Sequence, residues 1–237
     1  YMWEAAPGGD KPQILLSVSD TLVPHLRHLL VGVRHLFDLN ASPQVIDECL
    51  GADAGLAARV QAAPGLRIPG ALDGFEVALR AILGQQISVK AATTLFGRFA
   101  ERFGRAVQTP WPGLSRTAPE ADVVAEASLQ DVIDLGLPQR RAQTIQSVAR
   151  LVADGCLVLT PSADVESTQQ ALQAIPGIGP WTVQYLTMRA LGQPDALPVS
   201  DLGLMRAAGC DKPSQLAAEA EGWRPWRSYA AMHLWQS

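Results

Sequence analysis

The chain has 237 residues, 48% of them hydrophobic and 18% charged, so it can bury a large core and exceeds one average domain. Its three cysteines are widely spaced, its apolar runs are too short for a bilayer, and no signal peptide opens it; these features exclude a disulfide framework and predict a cytoplasmic protein. The net charge of −4 argues against a nucleic-acid partner, although backbone N–H groups can hold phosphates without basic side chains.

A strand followed by a helix is predicted at the start of the chain. Residues 13–19, Gln-Ile-Leu-Leu-Ser-Val-Ser, have strand character. Because a lone strand is unstable, it needs a partner in the first residues or in sequence outside this chain. Residues 20–38 carry leucine and valine at helical spacing behind Asp20, which we expect to cap that helix.

From residue 43 onward the pattern is helix after helix, so the fold is predicted to be mostly α. Pro43 starts a short helix, and Asp73 and Ser88 each precede an apolar-periodic stretch that they can cap. Turn-rich segments at 63–70 and 109–119 are predicted to be loops. The predicted helices cover residues 43–50, 73–83, 88–103, 119–126, 128–134 and 138–154, with a further one starting near residue 160.

The most informative segment is a glycine-rich turn, Pro-Gly-Ile-Gly, between two amphipathic helices, the second of which is predicted to begin at Pro180. Glycine permits φ > 0 and puts no side chain between the backbone and a ligand. We therefore expect the N–H groups of Gly177, Gly179 and Thr182 to be exposed at a helix amino terminus, where they can bind phosphate. The simpler interpretation is a helical corner that binds nothing.

Four segments together resemble helix-hairpin-helix DNA glycosylases. They read Arg-Ala-Ile-Leu-Gly-Gln-Gln-Ile-Ser (80–88), Ile-Pro-Gly-Ile-Gly-Pro-Trp-Thr-Val-Gln-Tyr (175–185), Leu-Pro-Val-Ser-Asp (197–201) and Trp-Arg-Pro-Trp-Arg-Ser-Tyr-Ala-Ala-Met-His-Leu-Trp (223–235). In this order they are similar to bacterial 3-methyladenine DNA glycosylases of the AlkA type. The similarity extends over nearly the whole chain.

The resemblance implies the helix-hairpin-helix DNA glycosylase fold, which has two helical sub-domains. Residues 74–193 would form the central domain with the hairpin, and residues 44–73 and 194–237 the second, which carries the catalytic acid. Residues 1–43 correspond to an N-terminal α/β sub-domain of strand and helix. That sub-domain is shortened here, as expected of a truncation or of part of a fusion.

Asp201 is the candidate catalytic residue. Taken alone, Ser200-Asp201 before a helix predicted over 201–208 is typical of a helix cap. The resemblance implies that this Asp faces the scissile N-glycosidic bond, where a fixed anion stabilises the positive charge that develops on the sugar. It can also orient or deprotonate the attacking water. Ser200 stands where some relatives have a second acid, which implies a shifted substrate range.

Aromatic side chains form the candidate base pocket. Trp181, Tyr185 and Trp235 resemble the aromatic lining of this family, and electron-rich rings attract the cationic ring of an N3- or N7-alkylated purine. Trp223, Trp226 and Tyr229, at helical spacing, are predicted to be core residues. Relatives that also cleave the DNA strand have Lys where this chain has Trp181, so base removal without strand cleavage is expected.

The resemblance implies two further sites near the hairpin. A wedge residue enters the gap that a flipped base leaves, and Gln86 and Ile87 are both candidates for it. The main-chain carbonyls of Gln173, Ile175 and Ile178 are implied to bind a structural monovalent cation, Na⁺ or K⁺. No cofactor is expected to be required.

The function implied is hydrolytic removal of alkylated purines, such as 3-methyladenine and 7-methylguanine, from double-stranded DNA by base flipping. The protein is expected to act as a monomer and without a membrane. Two alternatives stay open: a non-catalytic DNA-binding hairpin module, and a glycosylase for deaminated or mismatched bases. A protein-interaction domain would explain neither the glycine-rich hairpin nor the aromatic cluster.

Overall fold

The structure, a computed structural model, describes the backbone of residues 2–5 and residues 14–236 with their side chains. Over these residues the chain is mostly helical, as its sequence predicts. The helices are α1 (Leu26–Leu36), α2 (Pro43–Gly51), α3 (Ala57–Ala62), α4 (Gly74–Leu83), α5 (Val89–Phe103), α6 (Ala121–Glu126), α7 (Leu129–Ile133), α8 (Gln139–Ala153), α9 (Val165–Gln173), α10 (Pro180–Arg189), α11 (Leu202–Ala207), α12 (Pro213–Glu219) and α13 (Arg227–Trp235). None of the helices found in the described ranges has the length and apolarity needed to cross a membrane.

Two short strands form the one sheet seen in the described residues. Strand β1 (Met2–Ala5) pairs antiparallel with β2 (Ile14–Ser17), and Ala5 lies opposite Ile14. The strand predicted over 13–19 is confirmed at Ile14–Ser17. Its partner comes from the first residues of this chain, which was one of the two sources expected.

The single helix predicted over residues 20–38 is wrong in its first third. Asp20–His25 form a 3₁₀ helix that contains Pro24, and the α-helix begins only at Leu26. Proline has no backbone N–H and its ring crowds the preceding turn, so it interrupts α-helical hydrogen bonding. Asp20 is the first residue of the 3₁₀ segment and not the cap; Ser19 precedes it without a side-chain capping bond.

Helix starts were predicted well where a capping side chain marks them. The Asp73 carboxylate accepts a hydrogen bond from Phe75 N at 2.8 Å, and Ser88 Oγ accepts one from Ala91 N at 3.3 Å. The helix expected near residue 160 begins later, because Asp164 caps it. The predicted loop at 109–119 is confirmed as non-helical, whereas α3 was not anticipated.

Two apolar clusters form the interior, and α10 contributes to both. The first is built on α4 to α10 around Leu79, Phe99 and Leu186; the second joins α2 and α3 to the last helices, with Ile46 and Met188 enclosed in it. Enclosing each such side chain stabilises the fold by about 1.5–3 kcal/mol. Since Leu186 and Met188 lie on the same helix, α10 is a wall shared by both clusters. The domain boundaries given above remain a prediction.

Candidate active site and DNA-binding hairpin

The turn between α9 and α10 depends on one glycine for its geometry. Gly177 has φ +94°, and a Cβ built on it would lie 2.2 Å from Thr144 Oγ1, so no other residue fits without displacing α8. Gly179 is the N-cap of α10 at φ −97°, and nothing lies within 4 Å of the Cβ position. The expectation of a left-handed glycine is therefore confirmed at 177 and wrong at 179, where the missing side chain leaves open space outside the turn.

The expected phosphate-binding amides are present, and one of them is covered. The N–H groups of Gly177 and Gly179 donate to no acceptor in residues 14–236, and both residues are accessible. Thr182 is only 2% exposed, so the expectation of an exposed group there is wrong. Its hydroxyl accepts a hydrogen bond from Gln85 Nε2 at 3.2 Å, because the loop after α4 packs over it.

The carboxylate of Asp201 is held by three N–H donors. As the N-cap of α11, its Oδ1 accepts from Leu204 N at 2.8 Å. Trp181 Nε1 donates to Oδ2 at 2.7 Å, and Trp235 Nε1 donates to Oδ1 at 3.2 Å. The side chain is half-buried. The helix-cap interpretation is thus confirmed, and the same carboxylate also meets both of the indoles that sequence analysis singled out.

Trp181 belongs to a column of side chains along α10. Its ring stacks on Tyr185 with the centroids 4.9 Å apart and the planes 11° from parallel. The Arg189 guanidinium lies 5.5 Å from the Tyr185 centroid, Nη1 is 3.3 Å from the Tyr185 hydroxyl, and Nε donates to the Pro69 carbonyl. Trp181 lies one helical turn before Tyr185 and Arg189 one turn after it, so they approach Tyr185 from opposite sides. Tyr185 thus contacts both Trp181 and Arg189.

A cleft of about 820 Å³ opens beside this column. Gly177 and Gly179 form part of its wall, Trp181 and Tyr185 another part, and Ser200 reaches it from the loop before α11. Asp201 and Trp235 are not among the residues that line the cleft, but Asp201 directly follows Ser200 and binds the Trp181 indole, and both of these residues line it. The structure therefore brings Trp235 to Asp201 and not to the wall of the cleft, which differs from the expected role in the base pocket.

The two wedge candidates also line this cleft. Gln86 has φ +60° and is exposed, whereas Ile87 is half-buried. A non-glycine residue in the left-handed region stores about 1–3 kcal/mol of strain and persists only where its surroundings hold it. Gln86 is the more exposed of the two and is taken as the tip of this loop.

Gln85, which was not predicted from the sequence to have a role, joins this loop to the hairpin. Its Nε2 lies 3.3 Å from the Gly177 carbonyl and 3.2 Å from Thr182 Oγ1. Two adjacent glutamines carry no signal that tells the inward one from the outward one, so only tertiary structure identifies it.

The carbonyls proposed to bind a cation differ in their present bonding. The Ile175 carbonyl accepts from Ile178 N at 3.1 Å, while those of Gln173 and Ile178 accept no backbone N–H in residues 14–236. Uncharged oxygens of this kind suit a monovalent cation, and a carbonyl has two lone pairs, so the donor set fits such an ion.

Comparisons with known proteins give matches over most of the chain. The AlkA N-terminal domain matches residues 2–73, and the HhH-GPD superfamily base excision DNA repair protein matches residues 79–227. DNA-3-methyladenine glycosylase 2 of Escherichia coli is 34% identical over 232 residues, covering 98% of this chain and 79% of that protein. The structure of 3-methyladenine DNA-glycosylase from Archaeoglobus fulgidus shares the fold, with a TM-score of 0.77 and 21% identity over 98% of this chain and 81% of that one.

A longer relative has a higher sequence identity to this chain. The probable bifunctional transcriptional activator/DNA repair enzyme AlkA of Mycobacterium tuberculosis is 42% identical over 236 residues, which cover 97% of this chain. The match covers 46% of that protein, so this chain spans about half of its length. The two family matches and the Escherichia coli relative nevertheless extend over almost all of the present sequence. The chain belongs to the HhH-GPD superfamily of base excision DNA repair proteins, and it carries an AlkA N-terminal domain.

Proposed function

We propose that this protein is a monofunctional DNA glycosylase that hydrolyses the N-glycosidic bond of alkylated purines, of the 3-methyladenine and 7-methylguanine type, in double-stranded DNA. The observation that carries the proposal is the Asp201 carboxylate, which directly follows the cleft-lining Ser200 and accepts hydrogen bonds from the indole N–H groups of Trp181, itself in the cleft wall, and of Trp235. The names of the Escherichia coli and Archaeoglobus fulgidus relatives support the same substrate class.

The carboxylate supplies the chemistry that this reaction needs. As the base leaves, positive charge develops on the sugar, and an anion fixed in advance stabilises that charge without reorganising. Asp201 is fixed in this way by its three donors, and it can accept a proton from water that attacks the sugar. The base leaves with the bond electrons, a step that alkylation makes easier because the purine ring already carries a positive charge.

The cleft suits a flat cationic base. The Trp181 and Tyr185 rings in its wall are the aromatic surfaces available to such a base, and a cation over an aromatic face gains about 0.5–2 kcal/mol. The volume of about 820 Å³ has room for a flipped purine nucleotide and the DNA backbone next to it. Gly177 and Gly179 at the same opening supply N–H donors for a phosphate, which accounts for DNA binding by an acidic chain.

The same site supports base removal without strand cleavage. An amine nucleophile is needed to form a Schiff base with the sugar, and none of the described residues that line the cleft is a lysine. Trp181 occupies the position after the hairpin. A structural Na⁺ or K⁺ at the carbonyls of Gln173, Ile175 and Ile178, a monomeric state and a cytoplasmic location complete the proposal.

The test is a panel of duplexes that each carry one lesion: 7-methylguanine, 3-methyladenine, hypoxanthine or uracil. Released bases are measured directly, and strand breaks are scored with and without alkali. We expect release from the two alkylated duplexes and breaks only after alkali. Release of hypoxanthine or uracil, without release of either alkylated base, would indicate a glycosylase for deaminated bases. Binding to every duplex without release from any would indicate a non-catalytic module.

A further inference from the structure

Gln85 connects the two DNA-facing parts of the cleft. It lies in the loop that follows α4, and its side-chain amide reaches the Gly177 carbonyl at 3.3 Å and Thr182 Oγ1 at 3.2 Å. These partners lie more than ninety residues further along the chain. One side chain thus bonds the wedge loop to both the glycine turn and the first turn of α10.

The backbone of Gln85 is held as well. Arg141, in the first turn of α8, donates from Nη2 to the Gln85 carbonyl at 2.8 Å. The same helix contacts the hairpin through Thr144, whose Oγ1 lies 2.8 Å from the Pro176 carbonyl. The loop, the hairpin and α8 therefore form a closed cycle of contacts in which Gln85 bonds at both its backbone and its side chain.

The next residue is the exposed wedge candidate. Gln86 adopts φ +60°, which is costly for a non-glycine residue unless the neighbouring backbone is fixed. The fixed neighbour is Gln85. The Gln85 amide thus fixes the position of the loop tip relative to the glycine turn together with the Arg141 bond to the Gln85 carbonyl, and no other side chain of this loop bonds to the hairpin among the described residues.

We propose that Gln85 is a positioning residue that couples the hairpin to the wedge, so that binding of the DNA backbone at the glycine turn places the loop tip at the flipped nucleotide. It acts through Gln86 and the hairpin and touches no reacting atom. The inference rests on the proposed function, in that it assumes a base is flipped into this cleft. It assigns separate roles to the two parts of the site. The glycine turn contributes the affinity for DNA, and the Gln85 bonds fix the position of the loop tip relative to the bound DNA backbone.

The test compares two glutamine-to-methionine variants that each lose a bond to a threonine of α10. Gln85→Met removes the bonds to Gly177 and Thr182 and keeps the side-chain length. Gln169→Met is the matched control, because Gln169 Nε2 donates to Thr187 Oγ1 at 3.1 Å on the same helix but away from the cleft. Gln85→Glu is a third variant, which keeps the shape and cannot donate to the Gly177 carbonyl.

Three quantities are measured for each protein. Affinity is measured on a duplex with a tetrahydrofuran abasic analogue, insertion by the fluorescence of 2-aminopurine next to that analogue, and release of 7-methylguanine in single turnover. Melting temperature reports on folding. The fluorescence and affinity measurements need no catalysis, so they test the coupling even if the wild type proves to release no base.

For Gln85→Met and Gln85→Glu we expect affinity within about threefold of the wild type, a reduced fluorescence rise, and base release slowed about tenfold to a hundredfold, the scale of a misplacement of about 1 Å. Gln169→Met should match the wild type in fluorescence and release. Unchanged fluorescence and release in both Gln85 variants would overturn the proposal. Equal defects in Gln85→Met and Gln169→Met would also overturn it, since they would show a general loss of packing on α10.

Discussion

At the residue scale, the different contacts of Trp181 and Tyr185 give the two aromatic side chains different roles. Both rings line the cleft, but Trp181 also donates its N–H to Asp201, whereas Tyr185 contacts Trp181 and Arg189. Both rings were identified from the sequence, but their spacing alone could not show which of them contacts Asp201. The bond between Trp181 and Asp201 distinguishes them, and it joins residues of different elements.

These contacts predict which part of Tyr185, its ring or its hydroxyl, is needed for base release. Tyr185→Phe keeps the stacked ring and loses only the hydrogen bond between the tyrosine hydroxyl and Arg189. Release of 7-methylguanine in single turnover should therefore stay within about threefold of the wild type. Tyr185→Leu removes the stack, worth about 0.5–1.5 kcal/mol, and should slow release by about two- to tenfold. A Phe variant as slow as the Leu variant would show that the hydroxyl, and not the ring, supports Trp181.

At the element scale, the two glycines of the hairpin are expected to fail in different ways when replaced. Gly177→Ala places a methyl group 2.2 Å from Thr144 Oγ1 at φ +94°. The left-handed backbone alone costs about 1–2 kcal/mol, so the free energy of unfolding in urea should fall by at least that amount. Gly179→Ala meets no protein atom within 4 Å and should leave the free energy of unfolding within about 0.5 kcal/mol of the wild type.

The same pair separates folding from DNA binding. Because Gly179 faces open space at the mouth of the cleft, an added methyl group there is expected to obstruct a bound phosphate and weaken affinity for abasic-analogue DNA. Normal affinity in Gly179→Ala would mean that the DNA backbone does not approach this turn.

Helix α13 contains a buried histidine that should make stability pH-dependent. Burial lowers the pKa of His233 below its usual 6.5, against an opposing effect of Asp47, and neither ring nitrogen has a partner in residues 14–236. The unfolded chain therefore binds the proton more readily than the folded one. The contribution of neutral His233 to stability is present above about pH 6.5 and is lost as the pH falls towards the folded-state pKa.

Urea unfolding at several pH values tests this. We expect the free energy of unfolding of the wild type to fall between about pH 7 and pH 5, by up to about 1.4 kcal/mol per pH unit for each such group. His233→Leu should flatten that fall and leave the part due to His35, whose pKa burial also lowers. An unaltered slope in His233→Leu would show that this histidine is not the source.

Prediction from sequence succeeded for the elements whose ends are marked locally. Asp73, Ser88 and Pro180 each carry a capping or helix-starting preference that acts within one turn, and the helices begin where they indicate. The start of α9 at Val165 was misplaced because Thr160-Pro161 gives a similar signal to that of Asp164. Trp235 was associated with the base pocket by resemblance, while its actual partner, Asp201, lies 34 residues away in sequence.

At the scale of the whole molecule, the acidic net charge does not show which basic side chains form ion pairs within the protein. Six arginines of the described chain, at positions 80, 102, 105, 116, 224 and 227, form ion pairs with carboxylates of the protein itself. Arg140 has no such partner in residues 14–236, and it lies beside the hairpin, because Thr144 Oγ1 is 3.0 Å from its carbonyl and 2.8 Å from that of Pro176.

We therefore expect Arg140 to contact a DNA phosphate. Each phosphate contact contributes about 0.9 to the slope of log affinity against log salt concentration, so Arg140→Gln should lower that slope by about this amount on any duplex. Arg150→Gln makes the same change of charge near the other end of α8 and should leave the slope unaltered. Equal slopes for Arg140→Gln and the wild type would exclude this contact.

The central claim is that the Asp201 carboxylate, held by two indoles, performs the reaction. The most direct measurement is single-turnover release of 7-methylguanine by Asp201→Asn, with Asp164→Asn as a control that alters another helix-capping carboxylate away from the cleft. We expect release by Asp201→Asn to fall about a hundredfold to a thousandfold, the effect of losing one transition-state charge contact, with affinity for abasic-analogue DNA retained. Asp164→Asn should release the base at the rate of the wild type. A folded Asp201→Asn protein that matches this rate would contradict the account.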